Sequence, residues 1–254
     1  MSDILNAEIL QNMLGEEIKV IYSPSVDSTN NQAKRLISGG NSNTLLIVSD
    51  EQTNGRGRQG KSFYSPAKSG IYMSFVFHPM ADFSSVIAST TAASVAVCRA
   101  IENLTDLTPE IKWVNDIYIG GKKVCGMLCE AISDTKTQKI CSVIIGIGVN
   151  ISTADFPEDI KNASCLKRDI ERAVLIAEIT RQLTGVINKD FGEFIDYYRA
   201  HSMIIGKEIE FIQNGVSTAA KALAIDGEGG LVVETHDKEI KTLRSGEISI
   251  RRKN

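Results

Sequence analysis

Near residue 203 the chain changes rhythm, and this change bounds the fold. Before it, helical patterns alternate with strand-like runs. After it, from Gly206 on, about five short strands follow one another through tight turns, at 208–211, 217–225, 230–234, 239–243 and 248–250. About 50 residues of this kind suit a small SH3-like barrel. The fold class that follows is α+β, with one domain over 1–203 and a small β-domain over 204–254. A length of 254 residues can hold one large and one small domain. No low-complexity linker separates them, so the two are expected to touch.

Within the first part, residues 3–14 suit a helix ended near Gly15, and 17–22 alternate as a strand should. Ser28 or Thr29 can cap a helix that runs to Ile37 and stops at Gly39-Gly40. Strands are expected at 44–48 and 71–77. A long helix over 84–104 has Val86, Ile87, Val95, Val97 and Ile101 spaced to pack on a sheet. Residues 111–119 suit one strand, joined through Gly120-Gly121 to a second at 122–130. The apolar run 142–149 is interrupted by Gly146 and Gly148. Glycine inside a buried strand signals close approach by a ligand or another backbone. Helices follow at 169–187 and 191–201.

Chemistry concentrates between the early strands, in Gly55-Arg56-Gly57-Arg58-Gln59-Gly60-Lys61. Glycine admits positive φ and close backbone approach to a ligand. Arginine offers a planar fork of donors that matches phosphate or carboxylate. Two readings stand: a solvated basic turn, or a loop that closes over a small anion. The net charge of −3 gives no global support for nucleic-acid binding. A cationic loop on an acidic chain favours a small anion over a polyanion.

Other candidates are weaker one by one. Ser28-Thr29-Asn30 is an N-cap by default, though a helix start also presents free N–H groups to a ligand. Lys112-Trp113 with Asn115-Asp116 offers a cation for phosphate and an acid for a metal or nucleophile. Lys122-Lys123 suits a solvated turn. Gly146-x-Gly148-x-Asn150 lacks the spacing of a dinucleotide fingerprint, and no GxxxxGK[ST] is present. His78, His201 and His236 lack partners in sequence. The five cysteines (Cys98, Cys125, Cys129, Cys141, Cys165) are odd in number and suit buried, reduced thiols. Residues 1–6 show no export signal and no run is long enough to span a bilayer, so a cytoplasmic location is expected.

Taken in order, these pieces resemble the biotin–protein ligase family. They are Ser28-Thr29-Asn30; Gln52-x-x-Gly55-Arg56-Gly57-Arg58-x-Gly60-Lys61; Tyr64-Ser65-Pro66; Lys112-Trp113-x-Asn115-Asp116; Lys123-x-x-Gly126-x-x-x-Glu130; Gly146-x-Gly148-x-Asn150; and Gly246-Glu247-Ile248-Ser249. Val114 stands where the family usually has proline, and Phe63 where it often has tryptophan. The resemblance implies a mixed-sheet catalytic domain of the class II synthetase and biotin–lipoate ligase type over 1–203, carrying biotin and ATP, with an SH3-like domain after it. Only about twenty residues precede the pattern, too few for the family's helix-turn-helix module, so the resemblance implies a ligase without DNA binding.

The implied reaction activates biotin with ATP as biotinoyl-5′-AMP and passes it to a lysine of a biotin carboxyl carrier protein. By resemblance, Ser28, Thr29, Asn30 and Gln52 meet biotin's ureido ring. Arg56, Gly57 and Arg58 fold over biotin and phosphate, and Gly126 lies beside biotin. Lys123 pairs with the biotin carboxylate, Lys112 faces the triphosphate with Asn115 near it, and Asn150 lies near adenine. Asp116 either holds Mg²⁺ or orients the incoming amine. Arg58, Lys112, Asp116 and Lys123 form the expected catalytic set. Membrane partners are not expected, and a homodimer through an edge strand is.

Overall fold

The computed structural model describes residues 3–79, 84–134, 137, 139–187, 189, 192–213 and 215–250. The side chain of Val86 and the expected helix start at Phe191 lie outside them. The elements of the first part are α1 (Ala7–Leu14), β1 (Lys19–Val26), α2 (Thr29–Ser38), β2 (Leu45–Gln52), β3 (Gly70–Phe77), α3 (Ser84–Leu104), β4 (Glu110–Lys112), β5 (Asp116–Ile119), β6 (Lys122–Ser133), β7 (Ile140–Asn150), α4 (Arg172–Ile187) and α5 (Gly192–Ala200). The second part holds β8 (Glu208–Gln213), β9 (Val216–Ile225), β10 (Leu231–Thr235), β11 (Ile240–Leu243) and β12 (Glu247–Ile250).

Seven strands form one mixed sheet in the order β1-β2-β3-β7-β6-β5-β4. Strands β1 and β2 run parallel, and the remaining pairs are antiparallel. Strand periodicity sorts its two faces. On β2, Leu46 and Val48 enter the main core, while Leu45 and Ile47 pack with Ala33 of α2, Val76 and Ile144. Helices α3 and α4 cover the first face and α2 part of the second. On β7, Ile145, Ile147 and Val149 fill the core. The alternate positions on the α2 side are Ile144, Gly146 and Gly148. Gly126, Leu128 and Glu130 of β6 share that side. The second face therefore has a floor of glycines, Gly126, Gly146 and Gly148, near α2, with an apolar core behind it.

One segment departs from expectation. Residues 111–119 do not make one strand. They make β4, a tight turn at 113–115, and β5, with Lys112 directly opposite Asp116. The peptide bond between Trp113 and Val114 is cis. Three anchors hold the turn: Trp113 Nε1 donates to Gly229 O at 2.9 Å, Tyr198 Oη to Val114 O at 3.2 Å, and Asn115 Nδ2 to Met127 O at 2.7 Å. The β5–β6 connection does use Gly120 and Gly121, both at positive φ (56° and 73°). The first helix starts at Ala7 rather than residue 3, because Asn6 Oδ1 caps it by accepting from Ile9 N at 2.9 Å.

The second sheet is five-stranded, in the order β11-β10-β9-β8-β12. Ile209, Phe211, Ala222, Leu231, Val233 and Ile248 join the same continuous apolar cluster as the first sheet. Arg199 Nε adds a bond to Ile225 O at 2.9 Å. Among the described residues, no helix is long and apolar enough to cross a membrane. All five cysteines are unpaired; Cys98 and Cys125 are buried as expected, but Cys129, Cys141 and Cys165 are only half-buried. Burial pushes the Cys129 thiol up to about 11, so it stays protonated at neutral pH.

Candidate active site

A cleft of about 210 Å³ opens on the glycine floor. Ser28, Thr29, Asn30, Gln52, Arg56, Gly57, Arg58, Lys112, Asn115, Asp116, Lys123 and Gly126 all line it, so the fold gathers nearly every candidate from the sequence. Asn150 is not among the lining residues. Its Nδ2 donates to Ser164 O at 3.1 Å, and its buried Oδ1 has no partner.

One end of the cleft is polar and uncharged. Helix α2 begins there, with Ser28, Thr29 and Asn30 all buried. Ser28 makes no side-chain capping bond. The cap comes instead from Gln52, whose Oε1 accepts from Thr29 N at 2.9 Å and Thr29 Oγ1 at 3.2 Å. Gln52 Nε2 donates to Ser65 Oγ at 2.9 Å. Beneath them lies Ser74 of β3, fully buried, with Oγ 2.7 Å from Thr29 Oγ1 and 2.6 Å from Asn30 Oδ1. A hydroxyl has one proton to give, so those two acceptors share it.

The glycine floor explains itself at two positions. A Cβ on Gly146 would lie 2.3 Å from Asn30 Oδ1, and one on Gly148 would lie 2.4 Å from Phe63 Cε1. The close approach expected from those glycines is made here by side chains rather than by another backbone. Ser74 faces Gly146 across β3–β7. It escaped notice in the sequence, although a lone serine within the apolar run 71–77 was the signal available.

The other end is cationic. The Arg/Gly loop is a tight hairpin: Gly57 N donates to Lys61 O at 2.6 Å, and Gln59 and Gly60 turn through positive φ (54° and 76°). Arg58 Nη1 reaches Asn115 Oδ1 at 3.1 Å. Arg56 Nη1 lies 3.1 Å from Asn31 Oδ1 and 3.2 Å from Glu130 Oε2. Lys61 pairs with Glu247 of β12. Lys123, a solvated-turn residue by local pattern but a site residue by resemblance, enters the cleft with Nζ 2.8 Å from Asp116 Oδ1. Lys112 stands nearby, its ammonium 5.7 Å from the Tyr118 ring centre. Burial lowers the Lys112 pKa from the ordinary lysine value, against the opposing pull of Asp116. Burial would raise the Glu130 carboxyl, but hydrogen bonds from Lys34 and Asn30 outweigh it and leave the group below its ordinary value.

The residues present offer a metal two cleft carboxylates, Asp116, already paired with Lys123, and Glu247, already paired with Lys61. Among the described residues no cluster of three or more His, Cys, Asp or Glu side chains could hold a metal ion. This donor set suits Mg²⁺ brought in on a triphosphate, which needs only one or two protein carboxylates. It does not make a protein cage.

A mixed sheet with a cationic loop over a glycine floor, joined to a small antiparallel β-domain, makes a cleft suited to a small anionic ligand. Residues 22–150 match the biotin/lipoate A/B protein ligase family, and 204–251 match the biotin protein ligase C-terminal domain. The chain is 30% identical to the bifunctional ligase/repressor BirA of Bacillus spizizenii, over 91% of this chain and 74% of that protein. It is 26% identical to BirA of Escherichia coli, over 98% and 78%. The biotin protein ligase of Aquifex aeolicus, solved with biotin and ATP, superposes with a TM-score of 0.77 at 29% identity, covering 92% of this chain and 99% of that one. This chain therefore belongs to the biotin protein ligase family.

Proposed function

We propose that the chain is an ATP-dependent ligase that activates biotin as biotinoyl-5′-AMP and transfers it to a lysine of a biotin carboxyl carrier protein. One observation carries this reading. The cleft joins an uncharged end of donors and acceptors, Ser28, Thr29, Asn30 and Gln52, to a cationic end of Arg58, Lys112 and Lys123. A cyclic urea needs both donors and acceptors, while a carboxylate meeting a phosphate needs cations.

In the first step a biotin carboxylate oxygen bonds to the α-phosphorus of ATP. The bond to the β-phosphate oxygen breaks, and pyrophosphate leaves. Arg56, Arg58, Lys112 and Lys123 screen the meeting of anions, with Lys112 towards the triphosphate and Lys123 at the carboxylate. Mg²⁺, when bound, supplies further screening, and Asp116 would be its protein ligand. In the second step the lysine amine bonds to the acyl carbon, the bond to AMP breaks, and the amine loses a proton. Asp116 can instead orient that amine. No enzyme-bound acyl group is needed. Ser28, Gly57 and Gly126 contribute backbone and space around biotin, Asn115 steadies Arg58, and a closed flap keeps water from the anhydride.

Residues 1–203 would carry this chemistry and 204–254 would form the accessory domain. A second copy pairing through an edge strand completes the reading. The test is ATP–pyrophosphate exchange with biotin, with lipoate, and with neither. Exchange with biotin alone is expected. Exchange with lipoate but not biotin overturns the proposal.

A further inference from the structure

Glu130 lies outside the cleft lining, yet its carboxylate joins the parts of the site. It projects from β6 on the floor side, and its side chain is 18% exposed. Lys34 Nζ of α2 lies 2.7 Å from Oε1, and Asn30 Nδ2 lies 2.9 Å from Oε2. Arg56 of the flap reaches both oxygens, at 3.1 and 3.2 Å. Floor, helix and flap therefore meet at one anion.

The contact with Asn30 carries the effect into the polar end. An amide has two possible orientations, and its partners choose between them. Glu130 and the Leu128 carbonyl accept from Nδ2, at 2.9 and 3.2 Å, while Ser74 donates to Oδ1 at 2.6 Å. Glu130 thus fixes the Asn30 amide, and the missing Cβ of Gly146 leaves room for it. The same carboxylate pulls Arg56 against α2, which shuts one side of the flap.

We propose that Glu130 is a positioning residue: a latch that holds the flap to helix α2 and so sets how long the acyl-adenylate stays in the cleft. The proposal rests on the adenylate-forming reading above. It assigns Glu130 no contact with the reacting atoms. Its weight should fall on retention of the intermediate, with a smaller effect on its formation.

The test uses the full chain and its Glu130→Gln variant, which keeps the size of the side chain and removes its charge. Wild type is first assayed for biotin-dependent ATP–pyrophosphate exchange, and failure there overturns the ligase reading together with the latch. With exchange established, adenylate is formed from labelled biotin and ATP, and its dissociation is timed. Glu130→Gln should release it about tenfold faster, the scale of one lost charge-assisted hydrogen bond. Its exchange rate should stay within about threefold of wild type, less than one power of ten in binding energy. Free lysines on a bystander protein should be labelled more, and trypsin should cut after Arg56 and Arg58 sooner. Lys34→Met keeps the Arg56 contact and should retain the adenylate as wild type does. Equal leakage from Lys34→Met would make Glu130 a plain brace between helix and sheet, and would overturn the latch. Unchanged retention in Glu130→Gln would do the same. If that variant does not melt cooperatively, Glu130→Asp, which withdraws the charge from Arg56 by one methylene, is read against the same outcomes.

Discussion

Burial in the cleft works against the charge on Lys112. Its folded pKa is lowered, so folding penalises the protonated form. That penalty is fully present below the folded pKa and disappears as pH rises through it towards the unfolded value. Stability should therefore climb across that window. The cation proposed to face phosphate should be lost at a lower pH than the ordinary lysine value of about 10.4. Lys112→Arg should move the alkaline limb of the pH–rate profile for biotin-dependent exchange upward, since guanidinium does not deprotonate there. An unmoved limb would show that another group sets it. Arg58 and Lys123 make sharper cases. Arg58→Gly should free the adenylate and label lysines indiscriminately, and tight retention of the intermediate would contradict its place on the flap. Lys123→Ala should slow adenylation by about 10²–10³, the loss typical of one oxyanion donor, read by single-turnover kinetics.

At the scale of elements, β7 carries the clearest consequence. Gly146→Ala would press on Asn30 Oδ1 and Gly148→Ala on the edge of the Phe63 ring. Overpacking of this sort costs about 1–3 kcal/mol. The two should nevertheless differ, because Asn30 belongs to the hydrogen-bonded chain while Phe63 can rotate. Gly146→Ala should weaken biotin binding more than it lowers Tm, as calorimetry of both would show; Gly148→Ala should do less to binding. Most elements were legible in the sequence because apolar periodicity marks them, as in α3, or because glycine stops them, as at Gly39-Gly40 after α2 and at Gly120-Gly121. The turn at 113–115 was not, since Trp113-Val114-Asn115 has neither glycine nor proline and its anchors, Gly229 and Tyr198, are remote in sequence. The same remoteness hid Ser74 and the role of Glu130. The resemblance located the cleft residues as a set, but only pairing in space put Lys112 opposite Asp116 and Asp116 against Lys123.

For the whole molecule, the two sheets share one apolar cluster and a few polar ties. Trp113→Phe should cost about 1–3 kcal/mol, because the buried Gly229 carbonyl would be left without its donor. Tm should fall by about 2–4 °C for each kcal/mol at this size, and a wild-type melting curve would show the bond to be idle. Lys61 on the flap, meanwhile, is held by Glu247 on the final strand. The loop proposed to cover the anhydride is thus tied to the second sheet as well as to its own. Glu247→Gln should therefore loosen that tie from the second sheet while every group proposed to meet biotin stays as it is.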